Sequence, residues 1–293
     1  MHIDDLLELP EAMLIAEIGC NHRGDPQTAR EMIVVAKSAG AAVAKFQKRN
    51  NRECLTPARY ASLYDNPNSY GRTYGEHREF LEFSAEVHAD LKAYAEDHGI
   101  TYATSVWDLT SAREIAALEP DYIKVPSACN HDVALMRCLR DEYGGDVHIS
   151  VGMCTEAELD AILALYRDCP DRLIIYSCTS GYPVPPRDVC LMEIERLQRR
   201  CAGNVKEIGF SGHHNGIALD VAAYLLGARI IERHFTLDRT WKGTDHAASV
   251  EPQGLRKLVR DLDAIRTALC YKATEILPIE QVQRDKLKTA TAG

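Results

Sequence analysis

The sequence contains no apolar run approaching the ~18–20 residues that a bilayer-spanning helix requires, so no transmembrane helix is expected. Its opening stretch, MHIDDLLELPEAM, is acidic where a secretory signal starts basic and turns apolar, and no export signal is expected there. Basic residues are the minority: 34 Lys and Arg against 43 Asp and Glu leave a formal charge of -9. Such a surface does not attract a phosphate backbone, which sets nucleic acid aside. A small anion stays admissible if the cations gather in one pocket. Ten cysteines are scattered through the chain without a CxxC pair, so reduced thiols in a cytoplasmic protein are expected rather than a disulfide framework. No GxGxxG follows any strand-like run, which removes the dinucleotide-binding form of an open sheet. What is present is an ordinary globular composition, with 46% hydrophobic and 26% charged residues over 293 positions. That is enough for a large core.

Apolar strand-like runs alternate with amphipathic stretches along the chain. The strand candidates are 13–19, 42–47, 100–106, 122–127, 147–152, 173–178, 207–212 and 230–235. Most are short and almost continuously apolar, as strands covered on both faces should be. Thr155 and Glu158 have the spacing of a capping box, followed by Leu159, Ile162, Leu163 and Tyr166 on one helical face. Leu255, Leu258, Val259, Leu262, Ile265 and Leu269 stripe a final helix. Repeated β-α-β units imply parallel strands, and eight of them predict an α/β fold, a single (β/α)₈ TIM barrel over residues 1–271. Residues 48–76 form a polar, tyrosine-rich insertion after the second strand, long enough to be functional or disordered. Residues 272–293 read as a peripheral tail.

A barrel of this kind carries its site at the C-terminal ends of its strands, and polar residues gather there. Glu17 ends strand one, and Lys45 and Gln47 lie on strand two. Thr104 and Ser105 are on strand three, Lys124 and Ser127 at strand four, and Ser150 at strand five. Ser180 and Tyr182 follow strand six. Ser211, His213 and His214 close strand seven, and Glu232 and His234 close strand eight, with Asp245 in the loop beyond. His213 and His234 occupy matching positions on neighbouring strands, near where Glu17 closes the barrel. Two imidazoles and a carboxylate suit a borderline divalent metal; a hydrogen-bonded loop histidine is the plain alternative for each. A lysine inside an apolar strand must aim its charge into a polar cavity. Lys45 and Lys124, with the hydroxyls around them, would hold a phosphate or carboxylate. A Schiff-base lysine is the competing reading.

At these residues the chain resembles the sialic acid synthase family, which condenses phosphoenolpyruvate with an aldose. The matching stretches are AEIGCNHRGD (16–25), AGAAVAKFQ (39–47), YIKVPSA (122–128), ISVGM (149–153), CTSGYPVPP (178–186), GFSGHH (209–214) and IERHFTLDRTWKGTDHAASVEP (231–252). The resemblance implies that His213 and His234 ligate a divalent metal, manganese first, with magnesium or cobalt as alternatives. It assigns phosphoenolpyruvate binding to Lys45, Thr104, Lys124, Ser127, Ser150, Ser180, Tyr182 and Ser211. Glu17 takes the catalytic acidic role, and Gln47 and Asp245 contact the sugar. A homodimer is expected. The chain departs from the family pattern on the sugar side. Cys129 stands where an acidic residue is usual, Gly212 replaces the aspartate of an SDH triplet, and the antifreeze-like C-terminal domain is expected to be missing. The acceptor is therefore open: N-acetylmannosamine-like, mannose-like or shorter, phosphorylated or not. A lysine-dependent aldolase and a non-catalytic sugar- or partner-binding barrel are the alternatives.

Overall fold

The computed structural model describes residues 3–288. Eight parallel strands close into a barrel in strict sequence order. They are β1 (Met13–Gly19), β2 (Val43–Lys48), β3 (Thr101–Val106), β4 (Tyr122–Val125), β5 (Asp146–Ser150), β6 (Leu173–Cys178), β7 (Glu207–Gly212) and β8 (Ile230–His234). The helices are α1 (Pro26–Ser38), α2 (Asn51–Cys54), α3 (Pro57–Ala61), α4 (Tyr74–Leu81), α5 (Ala85–Asp97), α6 (Leu109–Ala116), α7 (Val133–Glu142), α8 (Glu156–Leu165), α9 (Met192–Cys201), α10 (Ala218–Leu225), α11 (Pro252–Ala268) and α12 (Pro278–Leu287).

The near-continuous apolar strands arise because each strand face is buried for a different reason. Leu14, Ala16, Ala44, Phe46, Ile123, Val125, Ile149, Ile175, Phe210 and Ile231 pack outward into the core shared with the helices. Ile15, Val43, Ala103, Tyr122, Ile174, Tyr176 and Ile230 form a separate cluster inside the barrel. Side chains alternate along a strand, so the next inward position after each floor residue faces the C-terminal mouth. Those positions are Glu17, Lys45, Ser105, Lys124, Cys178 and Glu232. The floor is apolar except for buried His148, stacked on Tyr122 and hydrogen-bonded to the Tyr176 phenol, and the layer above it carries the charges of Glu17, Lys45, Lys124 and Glu232.

The expected helix signals hold. Thr155 caps α8, accepting from the Glu158 amide at 3.3 Å while Glu158 accepts from the Thr155 amide at 2.7 Å. Leu255, Leu258 and Leu262 are the buried stripe of α11. The 48–76 insertion has its own structure: α2 and α3 lie within it, and Thr73 with Glu76 makes a second capping box that opens α4. It also reaches across the mouth. The Tyr70 hydroxyl donates to the Lys242 carbonyl, and the Gly243 amide donates to Asn68 Oδ1 at 3.2 Å. The insertion thus ties down the loop that carries Asp245. Residues 272–288 are peripheral, and α12 has no buried residue. No helix among the described residues is long and apolar enough to cross a membrane, and all ten cysteines are unpaired.

Candidate active site

At the C-terminal mouth lies a cavity of about 360 Å³. Its wall contains Glu17, Lys45, Gln47, Lys124, Ser127, Ser150, Ser180, Tyr182, Ser211, His213 and His234, all expected from the sequence. Ser105, Trp107, Cys178 and Glu232 also line it. Thr104 does not. Its hydroxyl donates to the Tyr102 phenol at 2.5 Å, on the outer face of β3, where the phenol also meets His88 Nδ1 at 2.7 Å. The inward residue is Ser105, which pairs in register with Gln47 and accepts from Lys45 Nζ at 2.8 Å. The assignment to Thr104 was one residue out, and one residue reverses the face. Asp245 sits half-buried at the rim, its Oδ2 4.0 Å from His234 Nδ1.

The charged layer is balanced. Lys45 forms an ion pair with Glu17 and lies 3.7 Å from Glu232. Lys124 meets Glu232 at 2.6 Å, and the Ser211 hydroxyl donates to the same carboxylate at 3.1 Å. Burial alone would raise the Glu232 pKa, but the ammonium groups of Lys124 and Lys45 outweigh it and hold the carboxyl at about 2. Two buried lysines are thus each paired with a carboxylate, the arrangement a low-dielectric site demands, and burial lowers the Lys124 pKa against the pull of Glu232. Glu232 was visible at the end of the eighth strand, but its partnership with Lys124, 108 positions away, exists only in the closed barrel.

Beside the lysines, the loops after β4 and β6 supply hydroxyls around Gly152. A Cβ there would meet Ser127 Oγ and Ser180 Oγ at 2.6 Å each. Only a glycine leaves that space, so the hydroxyls of two loops converge on one concave point. Asn130 fixes the turn by donating to the carbonyls of Ser150 and Gly152, both at 3.0 Å. Small hydroxyls and two ammonium groups around a hollow suit a phosphorylated carboxylic acid.

The imidazoles of His213 and His234 lie across the cavity, with ring centroids 5.5 Å apart. The Tyr182 ring packs on His213 at 4.4 Å. His213 Nδ1 faces the Thr179 carbonyl at 3.1 Å, and burial, helped by His234, lowers its pKa to about 3. It is a neutral imidazole with its Nε2 lone pair to offer. His234 Nδ1 is buried without a hydrogen-bond partner. Among the described residues no group of three or more His, Cys, Asp or Glu side chains is placed to hold a metal. The neutral His213 imidazole and the unpartnered His234 Nδ1 would fit as two ligands of a divalent ion. His214 belongs elsewhere: it turns away towards Asp220 at 3.3 Å and Arg233 at 3.2 Å.

On the opposite wall, the Arg49 guanidinium covers the Trp107 ring at 3.7 Å and donates to Gln47 Oε1 at 2.6 Å. Gln47 Nε2 in turn donates to Glu17 Oε1 at 2.8 Å. Nothing in the local sequence marks Arg49 as part of the site, because its partners come from three different segments.

A parallel barrel with a balanced lysine–carboxylate layer, a hydroxyl cradle and a histidine pair at its C-terminal mouth defines a sugar-acid synthase type of site. Residues 32–274 match the NeuB family, and the chain belongs to it. It is an enzyme of the sialic acid synthase type. The N-acetylneuraminate-9-phosphate synthase of Homo sapiens is 37% identical over 94% of this chain and 76% of its own length. The N,N'-diacetyllegionaminic acid synthase of Legionella pneumophila is 32% identical over 87% of this chain and 72% of its own. The crystal structure of N-acetylneuraminic acid synthetase from Leptospira borgpetersenii, solved in complex with citrate, superposes with a TM-score of 0.78 at 27% identity, covering 95% of this chain and 93% of that one.

Proposed function

We propose that this enzyme condenses phosphoenolpyruvate with an aldose to give a 3-deoxy-2-keto sugar acid and inorganic phosphate. The observation that carries the reading is the cradle at Gly152 set beside Lys45 and Lys124, which suits a compact phosphorylated carboxylate. In the proposed complex the two ammonium groups and the hydroxyls of Ser127, Ser150 and Ser180 hold the phosphate and carboxylate, fixing the enol carbon for attack. Ser105 takes the place given to Thr104. His213 and His234 would hold a divalent cation, manganese first, which when bound supplies Lewis-acid polarisation of a carbonyl. The enol carbon attacks the acceptor aldehyde, and water adds at the adjacent cationic carbon. Glu17 takes the proton of that water and passes it to the alkoxide left on the former aldehyde, completing the new hydroxyl. The tetrahedral intermediate then expels phosphate with carbon–oxygen cleavage. Gln47 and Asp245 stand on the acceptor side of the cavity. A Schiff-base aldolase is disfavoured because each lysine nitrogen is engaged by a carboxylate, Lys45 by Glu17 and Lys124 by Glu232.

The test is phosphate release from phosphoenolpyruvate with Mn²⁺ against N-acetylmannosamine, mannose, arabinose and their phosphates, each with a chelator control. Chelator-sensitive release with one acceptor is the expected result and identifies the substrate. Borohydride trapping of a ketone on Lys45 or Lys124, with release insensitive to chelator, would overturn it in favour of the aldolase.

A further inference from the structure

The amide of Gln47 is held at both ends. Arg49, a pure donor, points at Oε1 from 2.6 Å, and Glu17, accepting through Oε1, receives Nε2 at 2.8 Å. Turning the amide over would set its NH₂ against a guanidinium and its carbonyl against a carboxylate, so each neighbour independently selects the same orientation. Arg49 is itself immobilised. Glu82 accepts from its backbone amide at 3.0 Å and from its guanidinium at 3.2 Å, and Trp107 packs under it. Arg78 donates to the same Glu82 oxygen as the Arg49 guanidinium, at 2.8 Å. The backbone makes room for this chain of contacts. Gly19, at φ +56° where β1 slips register against β2, would bring a Cβ to 3.0 Å from Gln47 Nε2 and 3.2 Å from Glu17 Oε1.

We infer that Arg49 is a positioning residue which, by fixing the amide of Gln47, sets the place of the Glu17 carboxylate. The inference rests on the proposed role of Glu17. It also revises the sugar-contact role of Gln47, since one N–H and one carbonyl lone pair are already committed to Glu17 and Arg49.

The experiment is a double-mutant cycle on the full chain with Arg49→Met, Gln47→Met and both together, with Arg49→Lys as the conservative variant. Arg49→Met should lower kcat about tenfold, less than the ~10²-fold that an ångström of misplacement can cost. The KM for phosphoenolpyruvate should stay within about twofold, and Arg49→Lys should recover most of the loss. In the Gln47→Met background the Arg49→Met change should add almost nothing. Additive effects, or a rise in acceptor KM with kcat retained, would overturn the inference and make Arg49 a direct acceptor ligand. An activity-independent readout separates this from the functional reading: the side-chain amide protons of Gln47, assigned by their loss in Gln47→Met. They should exchange slowly in the wild type and at least ~10-fold faster in Arg49→Met, as for an amide that has lost the partner fixing its orientation. Unchanged exchange would overturn the inference even if no substrate is found, and wild-type silence with the exchange change present would sink only the role of Glu17.

Discussion

The two sides of the cavity are built differently. The wall from β4 to β6 is made of strand ends: Ser127 and Ser180 close on Gly152, and Asn130 pins the turn to two backbone carbonyls. The wall from β2 to the loop after β8 is made of long segments. Gln47 is set by Arg49, Arg49 by Glu82 at the end of α4, and the Asp245 loop by Tyr70 and Asn68 of the insertion. The first wall needs only the barrel; the second needs chain that could be replaced without disturbing it. A common donor site with a variable acceptor site is what that construction favours.

Perturbing the shared centre tests whether the walls serve one reaction. Glu17→Gln should lower kcat by ~10²–10⁴ with any acceptor, with Mn²⁺ affinity by calorimetry little changed; retained turnover would remove Glu17 from the chemistry. Lys124→Met leaves Glu232 buried without its closest partner and should cost about 3–5 kcal/mol of unfolding free energy in denaturant titration. In the wild type, Glu232 binds fewer protons folded than unfolded, because its pKa falls from 4.5 to about 2. Its contribution is therefore complete above about pH 4.5 and fades as the pH drops towards 2. The Lys124→Met protein should lack that acid-side loss, and an unaltered pH-stability curve would break the assignment.

The comparison sharpens with changes confined to one wall. Gly152→Ala fills the cradle, and overpacking of about 1–3 kcal/mol should raise the KM for phosphoenolpyruvate tenfold or more while the acceptor KM holds. Asn68→Ala frees the Asp245 loop of one hydrogen bond, worth about 0.5–1.5 kcal/mol, and should raise the acceptor KM severalfold with little change in that of phosphoenolpyruvate. Equal effects on both substrates in either variant would erase the division. The smallest effect belongs to Thr104→Val, which loses an outer-face hydrogen bond of about 1 kcal/mol. It should lower the melting temperature slightly and leave both KM values where they were.

The eight strands were legible to within two residues at either end, because burial on both faces leaves short apolar runs bounded by polar loops. The helix caps were equally readable, since Thr155 and Glu158 interact within one turn. Reading failed where a face or a distant partner decided the outcome. Thr104 and Ser105 are chemically similar neighbours, and only the register of β3 against Gln47 says which one enters the cavity. Arg49 looks like any polar residue at the start of an insertion until Glu82 and Trp107 close around it. The insertion hid its short helices in a polar, tyrosine-rich stretch whose order comes from packing on α4 and the loop after β8.

By itself, then, the sequence determined the barrel, its order and the inventory of groups at its mouth, because periodicity and local capping are properties of neighbouring residues. Only the tertiary structure decided which of those groups meet. Lys124 and Glu232 become a pair, Gly152 becomes a cradle and Arg49 acts on Glu17 because closing the sheet brings together positions that the chain keeps far apart.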